Sequence, residues 1–396
     1  MKILMLLDRE FPPDIRVENE AHSLIQAGHE VHLLCYDHQN KAKDEHLRGI
    51  NIHRFKINKQ IAKKSLGFIL NLPIYKWIWE KQVNALLQKE SFDAVHIHDL
   101  PLCILISSIR RSGIPVISDM HENYPFLVAE QSYMRSSLGR VIFRYKHWFR
   151  KESIWLSQSN AIICVAPEMK NRLENALGRG DNIHIVPNTF SFDSFGSKQI
   201  EISELKSRIN KKHIVLYVGG FDHGRGLDIL ITAINHIKHR ISDFALVLVG
   251  DGTIKDELIQ LVDSFGIQDL VYFEGWKPAS HVKSYIEVSS VCVIPHLKSE
   301  QTDNSSPNKL FQYMFFERAV VSSNCTSLEK IIAEENCGLI FKDRDPKDLA
   351  EKIYELIKTP ELAALMGANG KAAVVAKYNW ETTVQPLLVL YASLKK

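Results

Sequence analysis

Cysteine is scarce and scattered. The six residues Cys35, Cys103, Cys164, Cys292, Cys325 and Cys337 form no C-x-x-C pair. That excludes a zinc ribbon and a disulfide framework, and fits a reducing cytoplasm. Five of them lie in or beside apolar runs, where buried thiols are common. Long apolar runs are also missing, and none approaches the roughly 20 residues of a membrane span. The opening "MKILMLLDREFPPD" is not expected to be a signal peptide, because its apolar run is short and acids follow at once. Nor is there an excess of one charge. With 49 Lys and Arg against 46 Asp and Glu the net charge is +3, so nothing global points to nucleic acid. The 17 histidines contain no H-x-x-x-H pair, and "HIH" at 96–98 alternates as a strand would, so no metal is expected.

What is present is a globular composition, 45% apolar and 24% charged, in a chain of 396 residues. Such a length is too great for one ordinary core, and two domains follow. Short β-rich runs alternate with helical stretches: "KILMLLD", "EVHLLCY", "DAVHIHD", "IPVISDM", "AIICVAP" and "NIHIVPN". Between the first two, residues 16–27 place Val17, Ala21, Leu24 and Ile25 on one helical face. Apolar strands separated by helices predict a parallel, doubly wound sheet. A polar stretch near 190–212 interrupts the series. A second series then runs through "HIVLYVGGFD", "FALVLVGDG", "LVYFEGW", "VCVIPHL", "AVVSSN" and "GLIFKD". The expectation is an α/β protein with two Rossmann-like domains, 1–192 and 193–377. A closing helix over 378–396 should pack back on the first, with Val384, Leu387, Leu388 and Tyr391 on one side. Ligands of such sheets sit beyond the carboxyl ends of strands.

Three stretches carry chemistry. "YVGGFDHGRGLDILITAI" (217–234) reads as a strand, a glycine-rich turn and a helix. Gly219, Gly220, Gly224 and Gly226 let backbone approach an anion, and Arg225 adds a cation at the mouth. Alone, such a loop is equally a tight turn. "LVGDG" adds a second glycine turn at Gly250. In "SEQTDNSSPNKLFQYM" (299–314), Ser305 or Ser306 before Pro307 reads as a helix N-cap, with Lys309 in the first turn. A lysine there opposes the helix dipole unless an anion lies between them, which suggests phosphate binding over a merely solvated lysine.

The order of these pieces resembles the GT-B glycosyltransferases of family 4, retaining enzymes that use nucleotide sugars. "AHSLIQAGHEVHLLCY" is similar to the family's first helix and second strand, "ISDMHENYP" to its strand-end histidine segment and "IVPN" to its hinge. The glycine-rich loop, "LVLVGDG", "VYFEGW", "VCVIPH", the 299–314 segment, "AVVSSN" and "YNWETTV" follow in family order. The resemblance implies two parallel sheets facing across a cleft and a donor held mainly by the second domain. The base would lie near Gly275 and Trp276. An arginine and a lysine usually clamp the diphosphate, and here those positions hold Gly220 and Arg225. Lys309 and Arg16 are the candidate replacements, although Arg16 could equally be a surface residue facing Glu20 one turn on. His121 falls on the family's sugar-contacting histidine, with Asp119 and Glu122 expected to favour its charged form. Asp99 is a weaker candidate for orienting the acceptor hydroxyl. The family's paired glutamates are replaced by Asn304 and Gln312, which keep carbonyl acceptors but lose the charge. Asp303 could offer a carboxylate if the loop shifts.

Two basic, aromatic, acid-free stretches, 54–79 and 132–151, suit either a helix lying on anionic lipid or a solvated helix whose aromatics face the core. The resulting expectation is a peripheral, cytoplasmic-side, retaining and metal-independent transferase. It would move a sugar from a UDP- or GDP-sugar to a lipid-linked or polysaccharide acceptor, with no cofactor and no nucleic acid. A nucleotide-sugar epimerase of the same fold and a non-catalytic partner of an active enzyme are the rivals.

Overall fold

The computed structural model describes residues 1–57, 73–130, 146–192 and 200–394. The chain divides into two compact units, Met1–Asn188 with Val384–Lys396, and Thr189–Thr383.

The first unit is built on an eight-stranded sheet. Its strands are β1 (Lys2–Leu7), β2 (Glu30–Asp37), β3 (Asp44–Leu47), β4 (Ile50–Lys56), β5 (Ala94–His98), β6 (Val116–Met120), β7 (Ala161–Cys164) and β8 (Ile183–Ile185). Their order is β3-β4-β2-β1-β5-β6-β7-β8. Only the β3–β4 pair is antiparallel. The second unit carries β9 (His213–Val218), β10 (Phe244–Val249), β11 (Val271–Gly275), β12 (Val291–Ile294), β13 (Val320–Ser323) and β14 (Gly338–Phe341). These are ordered β11-β10-β9-β12-β13-β14, and every pair is parallel.

Strands β1, β7, β9, β10 and β12 form because they are almost uninterrupted apolar runs, buried on both faces. In β9, Val215 and Tyr217 enter one core cluster while Ile214 and Leu216 enter the other, as the two-residue strand period requires. Each sheet reverses direction once beside its first strand, between β1 and β5 and between β9 and β12. At such a reversal the loops diverge and leave a crevice beyond the strand ends. Every candidate residue below lies at the carboxyl edge of one sheet.

Three expectations are corrected here. Strands β3 and β4 were not anticipated, and the basic stretch 54–79 begins inside β4. There Arg54 is buried and Phe55 belongs to the core. Tyr75, Trp79 and Trp148 are also core residues, so these three aromatics are not interfacial anchors; Trp77, at 63% exposure, faces outward. The remainder of both basic stretches, 58–72 and 131–145, lies outside the described residues. Finally, the closing segment is two helices, Trp380–Thr383 and Gln385–Ser393. Pro386 sits in the first turn of the second, where its missing N–H is tolerated and a continuous helix would be broken. Among the described residues, no helix is long and apolar enough to cross a membrane.

Candidate functional site

At the carboxyl edge of the second sheet, Gly219, Gly250 and Gly275 end three adjacent strands and are linked in a row. Gly219 N–H donates to Val249 O at 2.9 Å and Gly250 N–H to Gly275 O at 2.9 Å. A methyl at Gly219 would collide with Lys309 Nζ. The lysine end could move aside, and it is the φ of +148° that favours glycine here. At Gly226 packing adds to this: φ is +64° and a methyl would meet the Pro295 carbonyl oxygen, so this glycine serves chain packing, not anion approach. Gly226→Ala is expected to cost more than the roughly 1–2 kcal/mol of a left-handed conformation. A urea midpoint equal to the parent's would contradict that.

Lys309 lies in helix Asn308–Phe315. Its ammonium sits 4.1 Å from the Tyr217 ring centroid. Arg225 Nη1 lies 3.3 Å from His296 Nε2, in the segment after β12. Neither cation has a carboxylate within ion-pair distance among the described residues. Burial, and then the Arg225 charge, hold the Lys309 ammonium well below the usual lysine range. Burial, Lys309 and Arg225 do the same to His296, so its imidazole is neutral. Arg225, Lys309 and a neutral histidine therefore converge on one crevice, and among the described residues no carboxylate pairs with either cation. Such an arrangement is destabilising unless an anion enters.

The 299–314 segment departs from its expected cap. Ser299 closes a capping box with Thr302 at the start of Glu300–Asp303. Pro307 itself is the N-cap of the next helix, and neither Ser305 nor Ser306 caps it. The first N–H groups of that helix are left to other partners, beside Lys309. Asp303 is committed elsewhere: its Oδ1 accepts from Lys298 Nζ at 3.0 Å and Thr326 N at 2.6 Å. Asn304 Nδ2 donates to Glu300 O at 2.7 Å, leaving its second N–H and its carbonyl oxygen. Gln312 is half-buried, and its side-chain amide makes no hydrogen bond among the described residues. Gly220 O accepts from Tyr217 Oη at 2.8 Å. Trp276 is 72% exposed, an open aromatic face at the end of β11.

The first unit holds a second constellation. Arg16 lies in helix Ile15–Gln26 and is buried. Its Nε and Nη2 donate to Asp119 Oδ2 and Oδ1 at 3.1 and 2.8 Å. Nη1 donates to Val186 O at 2.9 Å and Asn188 Oδ1 at 3.0 Å, while Nη2 also faces Glu20 Oε1 at 2.9 Å. A guanidinium has five N–H groups; four hydrogen bonds engage this one inside the unit, and its burial keeps it from phosphate. The proposed clamp role of Arg16 is therefore replaced by a buried structural one, and the surface alternative fails as well. Sequence reasoning missed this because an i,i+4 Arg–Glu pair usually reads as surface. Positions 16, 20 and 24 nevertheless lie on one helical row with the buried Leu24.

His121 Nε2 donates to Asp119 Oδ2 at 2.6 Å and lies 3.1 Å from His98 Nδ1. Its Nδ1 is 3.8 Å from Asp99 Oδ2. Burial alone would lower the imidazolium, but Asp119 and Asp99 outweigh it and raise it to about 9. The carboxylate expected from Glu122 is thus supplied by Asp99; Glu122 is exposed and acts on Arg9. Asp99 itself has φ +64°, a conformation few non-glycine residues adopt. It is held there by its own N–H to Asp119 O at 2.9 Å, by His121 N on Oδ1 at 3.2 Å and by Arg9 Nη2 on Oδ2 at 2.9 Å. Sequence reasoning also missed Asp8, half-buried at the end of β1, whose carboxyl burial pushes up to about 7.

Glu20, His96, His98 and Asp119 place ligand atoms within 4.8 Å of one another. Arg16 already answers both carboxylates, and burial holds Glu20 well above and His98 well below their usual ranges, toward neutrality. At neutral pH Arg16 and His121 carry the positive charge, faced by Asp119 and, at His121, also by Asp99.

A pH consequence follows. His121 ordinarily titrates at 6.5 and here near about 9, so its contribution is complete below 6.5 and lost as pH rises through about 9. Asp8 acts in the same sense, its penalty growing between 3.8 and about 7. Stability should decline by roughly 3 kcal/mol across this alkaline limb. In His121→Gln that limb should flatten; an unaltered pH profile of the melting temperature would refute the assignment.

The sequence profile described as "Glycosyltransferase Family 4" matches residues 15–193, and that described as "Glycosyl transferases group 1" matches 199–373. The chain belongs to glycosyltransferase family 4. An uncharacterized glycosyltransferase of Methanocaldococcus jannaschii is 28% identical over 371 residues, 92% of this chain and 90% of the relative. A GDP-mannose-dependent alpha-(1-6)-phosphatidylinositol monomannoside mannosyltransferase of Mycobacterium tuberculosis is 23% identical over 237 residues, 58% of this chain and 60% of the relative. Among solved structures, the sucrose-phosphate synthase of Thermosynechococcus elongatus superposes with a TM-score of 0.80 at 18% identity, covering 99% and 98% of the two chains. The glycosyltransferase therefore has the GT-B fold.

Proposed function

We propose that this glycosyltransferase takes a nucleoside-diphosphate sugar and transfers its sugar, with retention, to a lipid-linked or glycan acceptor. The observation that carries the donor assignment is the pair Arg225 and Lys309, two cations at the β9/β12 reversal with no paired carboxylate among the described residues. A diphosphate supplies the missing charge. Gly275, which ends β11, leaves open space beside it, and Trp276 offers a face for the base. Asn304 and Gln312 offer amide oxygens to sugar and ribose hydroxyls. The mannosyltransferase relative, whose name specifies GDP-mannose and a phosphatidylinositol glycan, supports the same donor and acceptor classes.

In the reaction so read, the bond from the anomeric carbon to the β-phosphate oxygen breaks. The acceptor oxygen bonds to that carbon on the same face, and its proton passes to the leaving phosphate. Charge on that phosphate is the main demand, and Arg225 and Lys309 meet it without a metal. The first unit is assigned the acceptor, with Asp99 orienting its hydroxyl and the His121 imidazolium assigned to the transferred sugar. Loss of the family's glutamate pair then weakens sugar contacts by about 1–2 kcal/mol each without removing the chemistry.

Incubation with UDP-, GDP-, ADP- and CMP-sugars should release free nucleoside diphosphate slowly from one of them. Binding without any release would assign the chain to a non-catalytic role. Release accompanied by an epimerised free sugar would assign it to the rival enzyme class.

A further inference from the structure

A cavity of about 290 Å³ opens at the carboxyl ends of β2 and β4, lined by Asp37, Lys41, Lys43, Arg54, Phe55 and Lys56. Four of these six are cations. The acid, Asp37, is buried, and both its oxygens are taken by backbone: Oδ1 accepts from Gln39 N at 2.9 Å and Oδ2 from Lys41 N at 3.1 Å. Arg54 is structural, donating to Phe11 O and Ala42 O and pairing with Glu45 at 2.7 Å. Lys41 Nζ has only a neutral partner, Pro12 O at 3.1 Å. Lys43 and Lys56 are exposed at the rim, and among the described residues neither forms an ion pair. The neighbouring acids are engaged: Asp44 with His53, Glu45 with Arg54, and Glu10 with His38 N. Phe55 turns its ring to the opposite face of β4, into the core against Trp79.

We infer that this cavity binds a phosphate group of the acceptor, with the lysine rim holding the anion. The inference rests on the acceptor assignment made above. Geometry adds a length. The pocket lies on the same sheet edge as His121, three to four strand spacings away in the order β4-β2-β1-β5-β6. At about 4.8 Å per spacing that is roughly 14–19 Å. The phosphate is thus separated from a hydroxyl reacting near His121 by the length of a short glycan. A lipid-borne phosphate and a soluble sugar phosphate share this chemistry, and the test tells them apart.

Two probes are compared between the parent and Lys43→Glu/Lys56→Glu. One is flotation with phosphatidylcholine vesicles carrying a polyprenyl phosphate. The other is titration with inorganic phosphate in an Arg225→Ala/Lys309→Met background, which removes the donor site from the measurement. The charge-reversed chain is expected to bind at least tenfold more weakly at an unchanged melting temperature. Binding of both probes supports a lipid-borne phosphate, and binding of inorganic phosphate alone supports a soluble one. Equal binding with and without the charge reversal, or no binding by either probe, overturns the site. Donor binding is scored separately with nucleoside diphosphates on Arg225→Ala, so either reading can fail without the other.

Discussion

Lys309→Met should make the ligand-free protein more stable and its nucleotide binding worse. The ammonium is desolvated, faces Arg225 and has no carboxylate partner among the described residues. Its compensation is the Tyr217 ring, worth about 0.5–2 kcal/mol. An isosteric apolar side chain removes the repulsion and keeps the packing. Each kcal/mol recovered raises the melting temperature by roughly 2–4 °C for a unit of this size. A charge-assisted hydrogen bond to phosphate contributes about 1.5–3 kcal/mol, so affinity for the nucleoside diphosphate should fall by roughly ten- to a hundredfold. Arg225→Ala should weaken binding similarly. Opposite movement of stability and affinity is the signature of a site that waits for an anion. A lysine with a merely structural role would lose both together.

Asp119→Asn is expected to be the most damaging single change in the first unit. The carboxylate receives both arms of Arg16 and the Nε2–H of His121, and all of these groups are buried. Burial works against its charge, yet Arg16 and His121 hold it well below the usual carboxylate range. The amide removes the carboxylate shared by two buried cations, leaving Asp99 at His121 and the raised Glu20 carboxyl at Arg16; breaking a buried pair costs about 3–5 kcal/mol, a large part of a typical domain's stability of roughly 5–15 kcal/mol. His121 should then titrate lower, because burial is no longer outweighed. Adding Arg16→Met should recover part of the loss, since the second substitution removes one orphaned charge. Urea denaturation of both single variants and the double measures this. Strict additivity, or a loss under about 1 kcal/mol in Asp119→Asn, would mean that the network does not hold this edge together.

Much of the fold was legible because its strands are apolar runs and its turns carry glycine. Where charge entered a strand, the reading failed. β4 carries Arg54 and Lys56, and merged with the basic residues that follow it. A related failure hid the Arg16–Glu20 pair, because periodicity does not say whether an ion pair lies on the wet or the dry side of a helix. For the candidate site, the residue types and their strand-end positions were readable, as was the place of Lys309 in the first turn of a helix. The capping of 299–314 was not, because a capping box at Ser299 competes with the serine–proline signal and only tertiary placement decides between them. The engagement of Asp303 by Lys298 and Thr326 and the raised carboxyl of Asp8 depend on neighbours distant in sequence or on burial, and neither leaves a local trace.

The most direct test of a diphosphate-binding site is calorimetric titration of UDP and GDP into the parent, Arg225→Ala and Lys309→Met. One of the two nucleotides should bind the parent, and each variant should lose at least tenfold in affinity while remaining folded. Parent-like affinity in both variants would contradict the account.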